Sequence, residues 1–172
     1  GPVRQHERST KAHSTVVVNN ENSSEVWSGF RVARRAYPFN LKIEELKNLV
    51  DISCAHDGYK RLVSSPIHRR RWQFFENSLI VSDNIEGSFK SASAYFHFHP
   101  SVVIIKNKDN ILQVEMPNSQ KIILKTKIGE PVIETSYYSP NFGKKIDTQC
   151  LKVELDKNNG SCVQILWNNL DD

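Results

Sequence analysis

The sequence predicts an all-β domain, an antiparallel β-sandwich of two sheets, and three observations lead to it. Short runs rich in Val, Ile, Thr, Phe and Tyr follow one another with Asn, Asp and Gly turn signals between them, which is the pattern of a sandwich or barrel. Several runs alternate apolar and polar residues, as a strand does when one face is buried and the other is wet. The 172 residues suffice for a single two-layer core.

In chain order, strands are expected at Ser14–Asn19, Gly29–Tyr37, Leu49–His56, His68–Glu76, Ser78–Asp83, Ala92–His99 and Val102–Lys106. They continue at Ile111–Glu115, Lys121–Thr126, Pro131–Ser136, Thr148–Leu155 and Ser161–Leu166. Asp57-Gly58, Glu86-Gly87, Asp109-Asn110, Ile128-Gly129 and Asn159-Gly160 fall between strands, where Asn and Gly supply the positive φ of tight turns. Ile111–Met116 and Lys121–Thr126 alternate most cleanly. The last two strands, joined through Asn158-Asn159-Gly160, read as a C-terminal hairpin whose apolar side chains enter a core shared with the second sheet. Leu41–Val50 carries a partial helical period with Asn40 as its cap, enough for a short turn at most.

Hydrophobic residues at 38% and charged residues at 24% describe a folded globular chain and exclude a disordered one. No apolar run approaches the ~20 residues of a membrane-spanning helix, so no membrane span is expected. Residues 3–172 form one domain without repeat or linker, and Gly1-Pro2 reads as the remnant of a cleaved tag. The formal net charge of +4 suits weak attraction to polyanions without choosing among them. No basic stripe is interleaved with exposed aromatics, so nucleic acid is not an expected partner. Cys54, Cys150 and Cys162 lie outside any CxxC and read as buried thiols, with a Cys150–Cys162 bridge available only in an oxidising compartment.

Histidines are the first candidates for chemistry. His97 and His99 are two apart on a strand, so both face one side, a spacing that suits two zinc ligands with a third from elsewhere. The competing reading puts Phe96 and Phe98 in the core and leaves both imidazoles hydrogen-bonded at the surface. His56 beside Tyr59 has the groups for acid–base work, against a reading in which Tyr59 and His68 bond to backbone. In Arg69-Arg70-Arg71, alternation sets Arg70 on the opposite face from its neighbours, so that one arginine is free to pair inside with Asp83 or Glu86.

Read together, these motifs resemble a family. Ala55-His56-Asp57-Gly58-Tyr59, Arg61-Leu62, Pro66, His68-Arg69-Arg70, Leu79–Asp83, Glu86-Gly87 and Ala94–Pro100 follow the order found in the C-terminal β-sandwich of heparinase II/III-like polysaccharide lyases. Upstream, Arg8–Val18 is similar to that family's Ala-His-Asn-Thr element, with Ser14 in place of Asn, and Ser23–Ala36 and Ser139–Gly143 are similar to two further elements. The resemblance implies a longer bacterial protein, periplasmic or cytoplasmic. Its N-terminal α/α toroid carries most catalytic groups, and the sandwich closes a cleft over an acidic polysaccharide. The implied reaction is β-elimination at a uronic acid. The resemblance also implies zinc in the full-length protein, with His13 at a ligand position whose partner ligands and catalytic His lie on upstream strands. On that basis this chain is expected to hold no catalytic residue and no cofactor of its own, and to be inactive alone.

Trp27, Arg31, Arg34 and Arg35 are the expected substrate-binding residues, because indole faces stack on sugar rings and guanidinium forks match carboxylate and sulfate. The plain alternative makes Trp27 core and pairs the arginines with Glu25, Glu44 and Glu45. A second functional class, a non-catalytic carbohydrate-binding or scaffold sandwich of capsule, exopolysaccharide or lipopolysaccharide metabolism, fits the same fold.

Overall fold

The computed structural model describes residues 2–27, 31–141 and 143–167. A short helix α1 (Pro2–Glu7) and a 3-10 turn (Thr10–Ala12) lead into β1 (Val16–Val18). Then come β2 (Val26–Trp27), β3 (Arg31–Val32), β4 (Pro38–Leu46), β5 (Leu49–His56), β6 (Ile67–Phe75), β7 (Ser78–Glu86) and β8 (Ala92–His97). The rest is β9 (Val103–Lys108), β10 (Ile111–Glu115), β11 (Lys121–Ile128), β12 (Glu130–Tyr138), β13 (Ile146–Glu154) and β14 (Ser161–Trp167). Strands β1-β8-β13-β12 form the smaller sheet and β4-β5-β6-β7-β14-β11-β10-β9 the larger, with β2-β3 as a separate ribbon. Every pairing is antiparallel, as the alternating pattern requires.

The core lies between the sheets. Val16, Val18, Ala94, Leu151 and Val153 from the smaller sheet meet Leu112, Val114, Leu124 and Val163 from the larger, and Tyr59 fills the end. Directly paired residues share a face, so Ile43, Ile52, Trp72 and Val81 form one inward row, and Val50, Phe74, Leu79 and Ile165 the next. Four strands cannot cover eight. Inward residues of the β4–β6 wing therefore remain in solvent, with Ile43 57%, Phe74 40% and Val50 36% exposed.

Two expectations are corrected. Residues 41–50 are not a helical turn: Ile43 pairs with Ile52 and Glu45 with Val50, and Asn40, at φ 53, makes a bulge in β4 instead of capping a helix. The expected C-terminal hairpin is also absent, because β13 pairs with β8 and β12 while β14 pairs with β7 and β11. Asp156 and Gly160 bridge a turn that carries the chain from one sheet to the other. The core prediction for these strands still holds, since Leu151, Val153, Leu155 and Val163 are buried. All three cysteines are free, and Cys150 and Cys162 lie on different sheets. Expected residues Gly29, Phe30 and Phe142 fall outside the described residues.

Gly160 fixes the sheet-to-sheet turn for two reasons. Its φ is +70°, and a Cβ there would lie 2.0 Å from the Asp83 carbonyl oxygen. Gly160→Ala is therefore expected to lower the unfolding free energy by more than ~2 kcal/mol in urea denaturation, adding backbone strain to a steric clash.

Candidate functional site

Two polar regions stand out, one inside the sandwich and one at its edge. The inner region is a directional hydrogen-bond chain at the end of β5, β6 and β7. The Gly58 N–H donates to His56 Nδ1 at 3.2 Å, so that nitrogen carries no proton. His56 Nε2–H must then donate to His68 Nδ1, 3.0 Å away, and His68 Nε2–H to Asp83 Oδ1 at 2.7 Å. Arg70 grips both oxygens of Asp83, at 2.7 and 2.9 Å, and reaches the Ser14 carbonyl at 2.6 Å. Burial pushes the Asp83 carboxyl up, but the His68 hydrogen bond and the Arg70 charge outweigh it and hold the group below the ordinary carboxylate range. Burial, followed by the nearby His68, lowers His56 to about 4.

Every nitrogen of both rings is engaged, so these histidines position strands. Tyr59 likewise spends its hydroxyl on the Val16 carbonyl at 2.6 Å and is fully buried, so the structure finds both His56 and Tyr59 bonded within the fold. Burial holds the Tyr59 phenol well above its ordinary pKa. Tyr59→Phe is expected to cost about 1–2 kcal/mol, read as a shift of the urea midpoint, because a buried carbonyl loses its side-chain donor. The expected backbone bond of His68 is corrected: the ring bonds to two side chains. Gly58 is required for close approach, with no positive φ, since a Cβ would meet the Ser23 carbonyl at 2.5 Å. Arg61 beside it donates to the Gly58 and Asn22 carbonyls and pairs with Glu25 at 3.3 Å, tying down the segment that leads to the ribbon.

The outer region is a cleft of about 590 Å³ between the N-terminal segment and β8 and β12. His6, His13, His97, Phe98, Tyr137, Tyr138 and Asn141 are among the residues that line it. His6 meets Tyr137 edge-on at 5.9 Å, His99 meets Tyr138 at 4.8 Å, and Lys145 Nζ sits 3.2 Å from the centre of the Tyr137 ring. Alternation holds here as expected, with Phe96 and Phe98 packed against the core and both histidines outside. His97 Nε2 faces the Lys11 carbonyl at 2.9 Å and must donate, which leaves Nδ1 to accept from the Ser136 hydroxyl at 2.7 Å. Desolvation lowers the pKa of that imidazole.

These bonds bear on metal. Both His97 nitrogens are spent and His99 Nδ1 is bonded to Ser101, while His6 and exposed His13 line the same cleft. Among the described residues no three His, Cys, Asp or Glu side chains cluster to hold a metal ion. The described residues by themselves do not fit a zinc site, which takes at least three protein ligands.

Of the expected binding residues, Trp27 and Arg31 lie on the β2–β3 ribbon, Arg34 and Arg35 follow it, and none of the four lines the cleft. Trp27 is 50% exposed, so it is not core, and the Arg31 guanidinium lies 5.0 Å from its ring centre. Arg34 pairs with Glu25 at 3.5 Å, as the plain alternative had it, and Arg35 is exposed without an ion pair among the described residues. Arg8 donates to the Arg31 carbonyl at 3.3 Å, while its neighbours His6 and Glu7 line the cleft, so the N-terminal segment links ribbon and cleft. Sequence reasoning missed Tyr137, Tyr138 and Lys145. Their signal was adjacency to the Ser139–Gly143 element, which says nothing about which strand lies beside the histidines.

Among the described residues no helix is long and apolar enough to cross a membrane. Comparison with known proteins gives a consistent result. Heparan sulfate lyase HepC from Pedobacter heparinus superposes with a TM-score of 0.71 at 19% identity, over 96% of this chain and 25% of that one. A heparinase III (BT4657 gene product) superposes with a TM-score of 0.70 at 17% identity, over 95% and 24%. The chain thus spans about a quarter of the length of these lyases. No curated protein sequence matches it. The family described as heparinase II/III-like, C-terminal, matches residues 1–166, and with nearly the whole chain included, this protein belongs to the heparinase II/III-like C-terminal domain family.

Proposed function

We propose that this chain is the cleft-forming C-terminal domain of a longer polysaccharide lyase that cleaves uronic-acid-containing polysaccharide by β-elimination, and that the chain alone is inactive. The observation that carries the reading is the cleft lined by His6, His13, His97, Tyr137 and Tyr138, which offers aromatic and imidazole groups to a sugar chain, with Lys145 held over the Tyr137 ring beside it. β-Elimination needs a base for the C5 proton, an acid for the leaving oxygen and neutralisation of the uronate. The interior histidines of this domain are bonded to their neighbours, so its contribution is binding and orientation. Trp27, Arg31, Arg34 and Arg35 extend that surface along the ribbon and the residues that follow it. The apolar β4–β6 wing, bare on its inward face, is the surface against which the preceding domain of the longer protein packs, since the relatives are about four times as long.

The longer protein should generate the near-ultraviolet absorbance of an unsaturated uronate from at least one of heparan, chondroitin, alginate or a capsular polymer. In that protein Trp27→Ala and Arg31→Ala should raise KM and leave kcat close to wild type, the signature of lost uniform binding. Silence on every polymer would favour a binding or scaffold domain instead.

A further inference from the structure

The outer face of the larger sheet ends in a cluster of positive charge that the cleft does not use. Strands β9, β10 and β11 carry Lys106, Lys108, Lys121, Lys125 and Lys127 against a single acid, Glu115, an excess as large as the chain's formal net charge of +4. The register puts four of them, Lys106, Lys108, Lys121 and Lys125, on one side, whereas Lys127 sits at the bulge after Thr126, beside Glu130, Glu154 and Asp156. Lys108 and Lys125 both pair with Ile111, and Lys106 pairs with Gln113, which alternates with buried Leu112 and Val114. Lys121 and Lys125 alternate with Ile122, Leu124 and Thr126, of which Leu124 and Thr126 are buried and Ile122 packs against the core. Strand geometry spaces Lys106 and Lys108 about 7 Å apart along β9, with Lys125 about 10 Å across the sheet from Lys108.

All five are exposed. Lys108 touches Asp109 at 3.8 Å, and Lys106, Lys121, Lys125 and Lys127 have no ion pair among the described residues. At the other end of the same face, Arg69 and Arg71 are neutralised by Glu86 and Asp51. Lysines on an edge strand guard against edge-to-edge pairing, which accounts for β9. That does not account for β11, an interior strand between β10 and β14.

We infer that the outer face of β9–β11 is a second binding surface, for an anionic polysaccharide running across the strands. Half-buried Ile111 and Ile123 form an apolar floor between the ammonium groups, suited to the C–H faces of pyranose rings. Compact lysine charges suit the uneven spacing of sulfates and carboxylates. No aromatic residue lies in these three strands, so a base-stacking platform for nucleic acid is missing. The choice of polysaccharide rests on the reading above, but the site needs no turnover, so binding to the 172-residue chain tests it separately from cleavage.

The probe is heparin, titrated into the chain over a range of salt. The triple variant Lys106→Gln, Lys121→Gln, Lys125→Gln is compared with Lys42→Gln, Lys47→Gln, Lys60→Gln, which removes the same charge from exposed sites elsewhere. The first should lose at least about tenfold in affinity and flatten the plot of log affinity against log salt by about two to three, since each contact releases counterions. The second should stay within about twofold of wild type, because long-range charge is screened. Equal losses in both variants, no loss in the first, or no heparin binding by the chain would overturn the proposal. Duplex DNA bound as tightly as heparin would overturn the choice of polysaccharide.

Discussion

Arg70→Met is expected to cost the fold about 3–5 kcal/mol, because it strands the Asp83 carboxylate in the interior without its cation. Asp83 is 2% exposed and Arg70 8%, so neither group can recover its hydration without opening the sheet. Asp83→Asn should be similarly damaging: Arg70 then loses a bidentate partner, and His68 Nε2–H faces an amide. The loss comes from breaking the pair and does not measure the stability of the pair as a whole. An Arg70→Met, Asp83→Leu double variant should therefore be less destabilised than the sum of its singles, a coupling of more than ~1 kcal/mol. Urea denaturation of the four proteins measures this directly. A loss below about 1 kcal/mol for Arg70→Met would show that water or rearranged side chains already solvate Asp83.

The second large effect is on pH. His56 is held neutral down to about 4, while an unfolded imidazole takes up its proton near 6.5. Between those values the unfolded state binds more protons, so stability falls as pH drops through the window and is fully present above it. His56 should account for a loss of about 2 kcal/mol by pH 5 and up to about 3 kcal/mol once pH reaches its folded pKa. His97, lowered by desolvation, acts in the same direction. His56→Asn should be less stable at pH 7 and should flatten the dependence of the urea midpoint on pH between 7 and 5. An unchanged slope would place the acid sensitivity elsewhere.

These effects come from side chains that the sequence brought into view without saying how they join. Alternation in Arg69-Arg70-Arg71 was enough to turn Arg70 inward, and Asp83 was one of two acids within its reach. The His56–His68 contact was not legible, because it depends on β5 and β6 being neighbours in register, with His56 opposite His68. Strands were readable where one face is buried, as in β10 and β11, and unreadable where neither face is. β4 is exposed along most of its length, so it shows no two-residue period and offered a false helical one. The β13–β14 error has a different cause. Asn158-Asn159-Gly160 specifies a tight reversal, but a reversal within one sheet and a step between two sheets use the same turn chemistry. The cleft itself was not legible: His13 and His97 were singled out only as metal candidates, and Trp27, Arg31, Arg34 and Arg35, expected at the substrate surface, lie outside its lining. The tyrosines opposite come from β12, and only tertiary structure brings them there.

The account separates a domain that binds and shapes a cleft from the groups that break bonds, and one comparison tests that division. Equal molar amounts of this chain and of the longer protein containing it are incubated with the same uronate polymers, and unsaturated product is followed in the near ultraviolet. The predicted result is product from the longer protein and none from the chain, which retains its folded β spectrum throughout. Product released by the chain alone would contradict the account, because the acid and base groups would then have to lie within this domain.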